Sequence, residues 1–81
     1  MSDAKRVRWH SRRGMLELDV LLVPFAEQVF PTLSAQEQAC YVALLESEDP
    51  DLFAWLMEHK VPQNPEFAAM VQAILAHGKA Q

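Results

Sequence analysis

Helix start signals recur along this chain at spacings that leave room only for short helices. The dipeptides Asp-Pro at 49–50 and Asn-Pro at 64–65 each place a capping side chain before a proline, which suits the first helical turn because no N–H is needed there. Ser34 and Glu37 form a capping box, in which each side chain accepts from the other residue's backbone N–H. No segment shows the strict alternation of a half-buried strand. These signals predict an all-α fold.

Apolar residues at helical spacing complete the assignment. The stripe in the first long segment comprises Leu18, Leu22, Phe25 and Val29. We predict five helices, over residues 4–13, 15–30, 34–46, 50–59 and 65–77. Short connections fold successive helices back on one another, so the expectation is a compact five-helix bundle forming a single domain over residues 1–81.

A glycine and two prolines determine where the first two predicted helices end or bend. Gly14 suits a left-handed C-terminal cap, so it should end the first helix. Pro24 should kink or split the second helix, because proline lacks an N–H and crowds the preceding turn, and Pro31 should end it.

Composition limits the classes of protein that fit. Hydrophobic residues make up 51% of the 81, enough for one thin core. Cys40 is the only cysteine, which excludes an internal disulfide and a Cys-based zinc site and is typical of a reducing compartment. No uncharged apolar stretch reaches the length of about 18 residues that a membrane span needs, and no signal peptide is evident, so we expect a cytoplasmic protein.

Charge is distributed unevenly. Residues 1–13 hold five basic side chains against one carboxylate, a charge of +4, whereas residues 14–81 hold two lysines against ten carboxylates, a charge of −8. The basic arm with Trp9 gives a nucleic-acid-binding module some support, but the acidic body would repel phosphates. Salt-dependent retention of DNA or RNA would discriminate this alternative from a protein-binding module.

No catalytic constellation is evident. The three histidines (His10, His59 and His77) lack metal-ligand spacing, and Cys40 has no neighbour in sequence that would activate it, so a packed thiol is expected. The carboxylates between residues 46 and 51 are explained by the positive N-terminal end of a helix. We therefore predict a binding protein that is not an enzyme.

Residues 8–19 contain the strongest candidate for a binding site. Arg13, a bidentate donor, and Glu17, an acceptor, flank the turn at Gly14, where a partner can approach the bare backbone closely. Trp9 lies one helical turn before Arg13, and both residue types often dominate binding energy. In a purely structural interpretation, basic residues end one helix and carboxylates begin the next, as the helix dipoles favour. From the residues alone, both interpretations stay open.

Two blocks of this sequence resemble the succinate dehydrogenase flavinylation (assembly) factors. Residues 13–17, Arg-Gly-Met-Leu-Glu, match the Arg-Gly-x-x-Glu motif of that family, and residues 9–19 match its longer signature. Residues 24–25 (Pro-Phe) and residues 49–56 (Asp-Pro-Asp-Leu-Phe-x-Trp-Leu) also resemble the family, and the likeness as a whole covers residues 6–60. The two blocks in this order and at this spacing are specific, and the apolar Leu16 falls at a motif position that tolerates many residues.

The resemblance implies a bundle of five helices that promotes covalent attachment of FAD to a histidine of the flavoprotein subunit of succinate dehydrogenase, and in bacteria often of fumarate reductase. It implies that Arg13, Gly14 and Glu17 contact that subunit. The expected partner-binding surface also includes Arg8, Trp9, Arg12 and Asp19. We expect no stably bound cofactor, no metal and a monomeric free protein. The alternative is a small nucleic-acid-binding or antitoxin-like helical module that uses the basic N-terminal arm.

Overall fold

Four α-helices and one short 3₁₀ helix make up residues 14–80, the part of the chain that the structure, a computed structural model, describes. In chain order they are α1 (Leu16–Gln28), the 3₁₀ helix (Phe30–Thr32), α2 (Ala35–Leu45), α3 (Asp49–Leu56) and α4 (Pro65–Lys79). No strand is present between residues 14 and 80, so this part of the chain is all-α as predicted.

The prediction of a five-helix bundle is wrong, because the structure has four α-helices in its described residues. The helix predicted over 4–13 lies outside those residues. Its prediction depended mainly on Gly14 as a stop signal, and Val7 and Trp9 are the only large apolar residues in the segment. A stop signal marks where a helix can end, but it does not by itself show that a helix precedes it.

The predicted caps are present at the starts of α2 and α4. The Ser34 hydroxyl accepts from the Glu37 N–H at 3.1 Å, and the Glu37 carboxylate accepts from the Ser34 N–H at 3.0 Å. The Ser34 backbone N–H, and after it the Ser34 side chain, hold the pKa of Glu37 below its ordinary value. The Asn64 side chain accepts from the backbone N–H groups of Glu66 and Phe67.

The two ends of α3 differ from the prediction. The helix begins one residue earlier than expected, with Glu48 as an N-cap whose side chain makes no capping hydrogen bond, and Asp49 lies in its first turn. It ends at Leu56 instead of residue 59, because Glu58 takes a left-handed conformation with φ +63°. The His59 N–H donates to the Ala54 carbonyl at 2.8 Å and the Glu58 N–H donates to the Trp55 carbonyl at 3.2 Å, which is a Schellman cap.

Helix α1 continues through Pro24, so the expected split does not occur. The helix ends at Gln28, and Pro31 lies inside the 3₁₀ helix that follows. A proline at position 24 cannot supply the N–H that the Val20 carbonyl would receive in a regular helix. That carbonyl belongs to the N-terminal half of α1, where the candidate site lies.

The core lies between α1, α2, α3 and α4. Helix α4 packs against each of the other three α-helices, and α1 also packs against α3 and the 3₁₀ helix. Of the predicted stripe in α1, Leu18, Leu22 and Phe25 are buried and Val29 is half-buried. The remaining buried apolar side chains are Ala26, Phe30, Tyr41, Leu44, Leu45, Leu52, Leu56, Met70, Val71, Ile74 and Leu75.

Tyr41 ties α2 to α1 at the centre of this core. Its hydroxyl donates to the Leu22 carbonyl at 3.3 Å, and its ring stacks on Phe25 with centroids 5.3 Å apart. At the C-terminal end of α4, a Cβ added to Gly78 would lie 2.7 Å from a terminal methyl carbon of Leu21. Gly78 therefore allows α4 and α1 to approach closely, and these contacts fix the inner face of α1 against the bundle.

Candidate functional site

The turn at Gly14 requires glycine for its backbone conformation and not for packing. Gly14 has φ +79°, a left-handed conformation that costs an ordinary L-residue about 1–2 kcal/mol. The residue is exposed, and a Cβ built on it would meet no atom of residues 14–80 within 4 Å. Within this part of the chain, the backbone at Gly14 is therefore bare on its outer side, with space for another molecule to approach it.

Glu17 and Asp19 follow in the first turn of α1, after Met15, which serves as an extended N-cap without a side-chain cap bond. Carboxylates are favoured there because the N-terminal end of a helix carries a partial positive charge. Glu17 is exposed, whereas Asp19 is half-buried and takes part in interactions of its own. The two carboxylates thus differ: Glu17 is available to a partner from solvent, and Asp19 is partly engaged within the chain.

The structure brings three of the predicted site residues together, namely Gly14, Glu17 and Asp19, at the start of α1. The other four lie outside the described residues: Arg8, Trp9, Arg12 and Arg13. For all seven residues, a place in a binding surface remains a prediction.

Two further residues near the turn were missed by reasoning from sequence. Leu16 is 74% exposed and Val20 is 60% exposed, although both belong to a helix whose other face is buried. Residues four apart lie on the same side of a helix, and each residue is rotated about 100° from the last, so positions 16 and 20 point away from Leu18 and Leu22. A helical wheel centred on the predicted stripe could have identified them.

Cys40 lies in a groove of about 240 Å³ between α2 and α4, lined in part by Leu33, Glu37, Glu66 and Met70. The thiol is half-buried and donates to the Glu66 carbonyl at 3.5 Å. Burial, and after it the carboxylate of Glu66, raises the pKa of the Cys40 thiol. Both effects disfavour the thiolate, the form needed for nucleophilic attack, which agrees with the prediction of a packed thiol.

The described histidines serve in packing contacts. A His77 ring nitrogen lies 3.1 Å from the Gln28 side-chain oxygen, and the ring contacts the edge of Phe25 at a centroid distance of 5.9 Å. His59 packs against Phe53 with centroids 6.0 Å apart. Within residues 14–80, no group of three or more His, Cys, Asp or Glu side chains is arranged to hold a metal ion.

The aromatic side chains of α3 are shared between core and surface. Phe53 and Trp55 are both half-buried and pack against the core, and Trp55 lies 6.3 Å from Phe67 of α4 by ring centroids. Helix α3 therefore packs in the bundle through Phe53 as well as Trp55.

None of the described helices has the length and apolar character required to span a bilayer.

Comparison with known proteins gives a consistent result over nearly the whole chain. Residues 5–78 match the family described as flavinator of succinate dehydrogenase. A protein named FAD assembly factor SdhE from Pseudomonas putida is 53% identical over 74 residues, which cover 91% of this chain and 88% of that protein. A protein of the same name from Vibrio cholerae is 57% identical over 72 residues, which cover 89% of this chain and 84% of that protein. Another from Photobacterium profundum is 51% identical over 79 residues, which cover 98% of this chain and 90% of that protein.

Proposed function

The chain belongs to the flavinator of succinate dehydrogenase family, and on this basis we propose that it binds the flavoprotein subunit of succinate dehydrogenase and promotes covalent attachment of FAD to it. It is an assembly factor and not an enzyme. The observation in this structure that best supports a docking role is the bare, left-handed turn at Gly14, followed by the exposed carboxylate of Glu17.

A protein without catalytic groups can still accelerate a reaction in its partner. Binding favours whichever conformation of the partner it fits best, and a ligand shifts an equilibrium by its difference in affinity for the two states. Alignment of reacting groups contributes about 7–11 kcal/mol in well-oriented intramolecular reactions. We infer that this chain holds the flavoprotein subunit in the conformation that aligns FAD with its attachment residue, and that the covalent bond forms within the partner.

The proposed contact centres on Arg13, Gly14 and Glu17, with Arg8, Trp9, Arg12 and Asp19 beside it. At Gly14 a partner reaches the backbone without displacing a side chain, and Glu17 offers an acceptor to an arginine, a lysine or a backbone N–H. These two features support the proposal for the described residues. Asp19 would act from the flank, since it is already partly engaged within the chain.

Removing the protein from its source and measuring covalent flavin on the client tests the function as a whole. The flavoprotein subunit is denatured, separated by electrophoresis and examined for flavin fluorescence, with an immunoblot as the measure of subunit amount. We expect fluorescence per subunit to fall strongly and to return when the wild-type chain is supplied. Undiminished fluorescence would contradict the proposal. The same assay on the flavoprotein subunit of fumarate reductase tests our further proposal that this subunit is a second client.

Glu17→Gln tests the acceptor, and Glu66→Gln is a matched control. Each glutamate is exposed and lies in the first turn of its helix, so both substitutions lose a similar favourable interaction with a helix dipole. We expect Glu17→Gln to weaken binding to the purified flavoprotein subunit and Glu66→Gln to leave it unchanged. Equal affinities for the two variants would remove Glu17 from the interface.

The remaining features of the proposal are a cytoplasmic location, a monomeric free protein and no cofactor stably held by this chain. Cell fractionation, sedimentation and the absorbance spectrum of the purified protein test them in turn. Family membership favours this function over the nucleic-acid-binding alternative, which salt-dependent retention of DNA or RNA would support.

A further inference from the structure

The exposed apolar residues of this chain are not scattered evenly. Three large hydrophobic side chains are exposed among residues 14–80: Leu16, Val20 and Val61. Single exposed apolar residues are ordinary on a protein surface, and Val61, in the connection between α3 and α4, fits that description. Leu16 and Val20 differ because they lie one helical turn apart on α1 and begin two residues after Gly14.

The same side of α1 continues to Pro24, four residues beyond Val20 and half-buried. We call Leu16, Val20 and Pro24 the outer strip of α1. Pro24 is apolar as well, so the outer strip presents three apolar side chains at four-residue spacing along one side of α1.

Charge on α1 indicates what kind of surface fits the outer strip. The helix carries Glu17, Asp19 and Glu27 and no basic side chain. A complementary surface is apolar at its centre and has lysine or arginine where its border faces these carboxylates, since opposite charges at the edge of an interface guide association and like charges oppose it. The strip is also continuous with the Gly14 turn, so a partner that covers the turn is positioned to cover the strip as well.

We propose that the outer strip of α1 is a second part of the docking surface and packs against an apolar, basic-bordered patch of the same flavoprotein subunit that receives the Gly14 turn. This inference depends on the proposed function. It assigns Leu16 and Val20 a binding role in which their exposure in the free chain is relieved in the complex.

The test compares affinities of full-length variants for the purified flavoprotein subunit by titration calorimetry. The Leu16→Gln/Val20→Gln double variant keeps good helix-forming residues but removes the apolar contact. Val61→Gln is the matched control, because Val61 is 76% exposed and Leu16 is 74% exposed. We expect the double substitution to raise the Kd about tenfold or more and the control substitution to change the Kd less than about twofold. Both variants should keep the parent melting temperature to within a few degrees, because exposed substitutions change stability little.

Three results would overturn this proposal. Parent affinity in the double variant, with affinity lost in Gly14→Arg, would leave the proposed function intact and remove the strip from the interface. A fall in melting temperature with unchanged affinity would show that another part of this chain covers the strip. Self-association of the parent that the double variant abolishes, again with unchanged affinity, would assign the strip to a second copy. Absence of any binding by the parent would instead contradict the proposed function itself.

Discussion

Replacing Tyr41 separates the contribution of its ring from that of its hydroxyl, and the structure gives a magnitude for each. The side chain is fully buried, its ring packs against Phe25 and Phe30, and its hydroxyl donates to the Leu22 carbonyl at 3.3 Å. This distance exceeds the usual 2.5–3.0 Å for O–H···O bonds, so the bond is a weak one. Tyr41→Phe should therefore cost about 0.5–1 kcal/mol of unfolding free energy, the lower part of the range for a net hydrogen bond.

Tyr41→Ala should cost far more, because it removes the ring from the middle of the core. Truncating a buried aromatic residue to alanine costs about 3–5 kcal/mol, and a chain of this length has a total stability of only about 4–12 kcal/mol. Urea unfolding followed by far-UV circular dichroism measures both variants. The reasoning would be refuted if Tyr41→Phe were as destabilising as Tyr41→Ala, or if Tyr41→Ala lost less than about 1 kcal/mol.

Tyr41→Phe also serves as a control for binding experiments. The residue is buried and not accessible to a partner, so affinity for the flavoprotein subunit should stay at the parent value. A loss of affinity in this variant, with the fold retained, would mean that α1 must be held by α2 to bind.

Further predictions concern helix ends and the thiol. Glu58→Gly should stabilise the chain by about 0.5–1 kcal/mol, because relief of the left-handed strain at φ +63° exceeds the added conformational entropy that glycine gives the unfolded chain. Thermal unfolding measures this change, and a lower melting temperature would contradict the prediction. Ser34→Ala should cost about 1 kcal/mol by loss of the N-cap, and an unchanged urea midpoint would show that the capping box contributes nothing. Cys40 should react with iodoacetamide more slowly at pH 8 than a free thiol, because its raised pKa leaves less thiolate at that pH; a rate equal to that of unfolded protein would contradict the burial of the thiol.

Where the sequence carries its own local signal, prediction and structure agree. Ser34 with Glu37, and Asn64 before a proline, start α2 and α4 because a capping side chain satisfies N–H groups only a few residues away. The buried stripe of α1 follows in the same way from helical spacing, with Leu18 and Leu22 facing the core. These features depend on interactions within one turn or one helix, which a sequence displays directly.

Where packing between helices decides, the sequence was a poorer guide. Helix α3 ends in a Schellman cap with Glu58 at the position that glycine usually occupies, so the sequence contains no glycine stop signal at the end of this helix. Pro24 lies within α1 without splitting it, since burial of Leu22 before it and of Phe25 and Ala26 after it supports the helix on both sides. The close approach of Gly78 to Leu21 joins residues far apart in the chain, and no local pattern predicts it.

In the candidate site, too, the local motif was predicted from the sequence and the features that depend on packing were not. The motif pointed to Gly14 and Glu17, and both are exposed at the start of α1. Leu16 and Val20 lie opposite the predicted stripe, so a helical wheel can place them on the outer face of α1, but the sequence does not show whether another helix covers that face.

Affinity of Gly14 variants for the purified flavoprotein subunit tests the central claim most directly. Asparagine tolerates the left-handed conformation better than other non-glycine residues, and a Cβ at Gly14 meets nothing within the described chain, so Gly14→Asn should stay folded by circular dichroism. If a partner contacts the bare backbone, we expect Gly14→Asn to lose about tenfold in affinity and Gly14→Arg about thirtyfold or more, as at an interface hot spot. Parent affinity in both folded variants would show that the partner does not approach this turn.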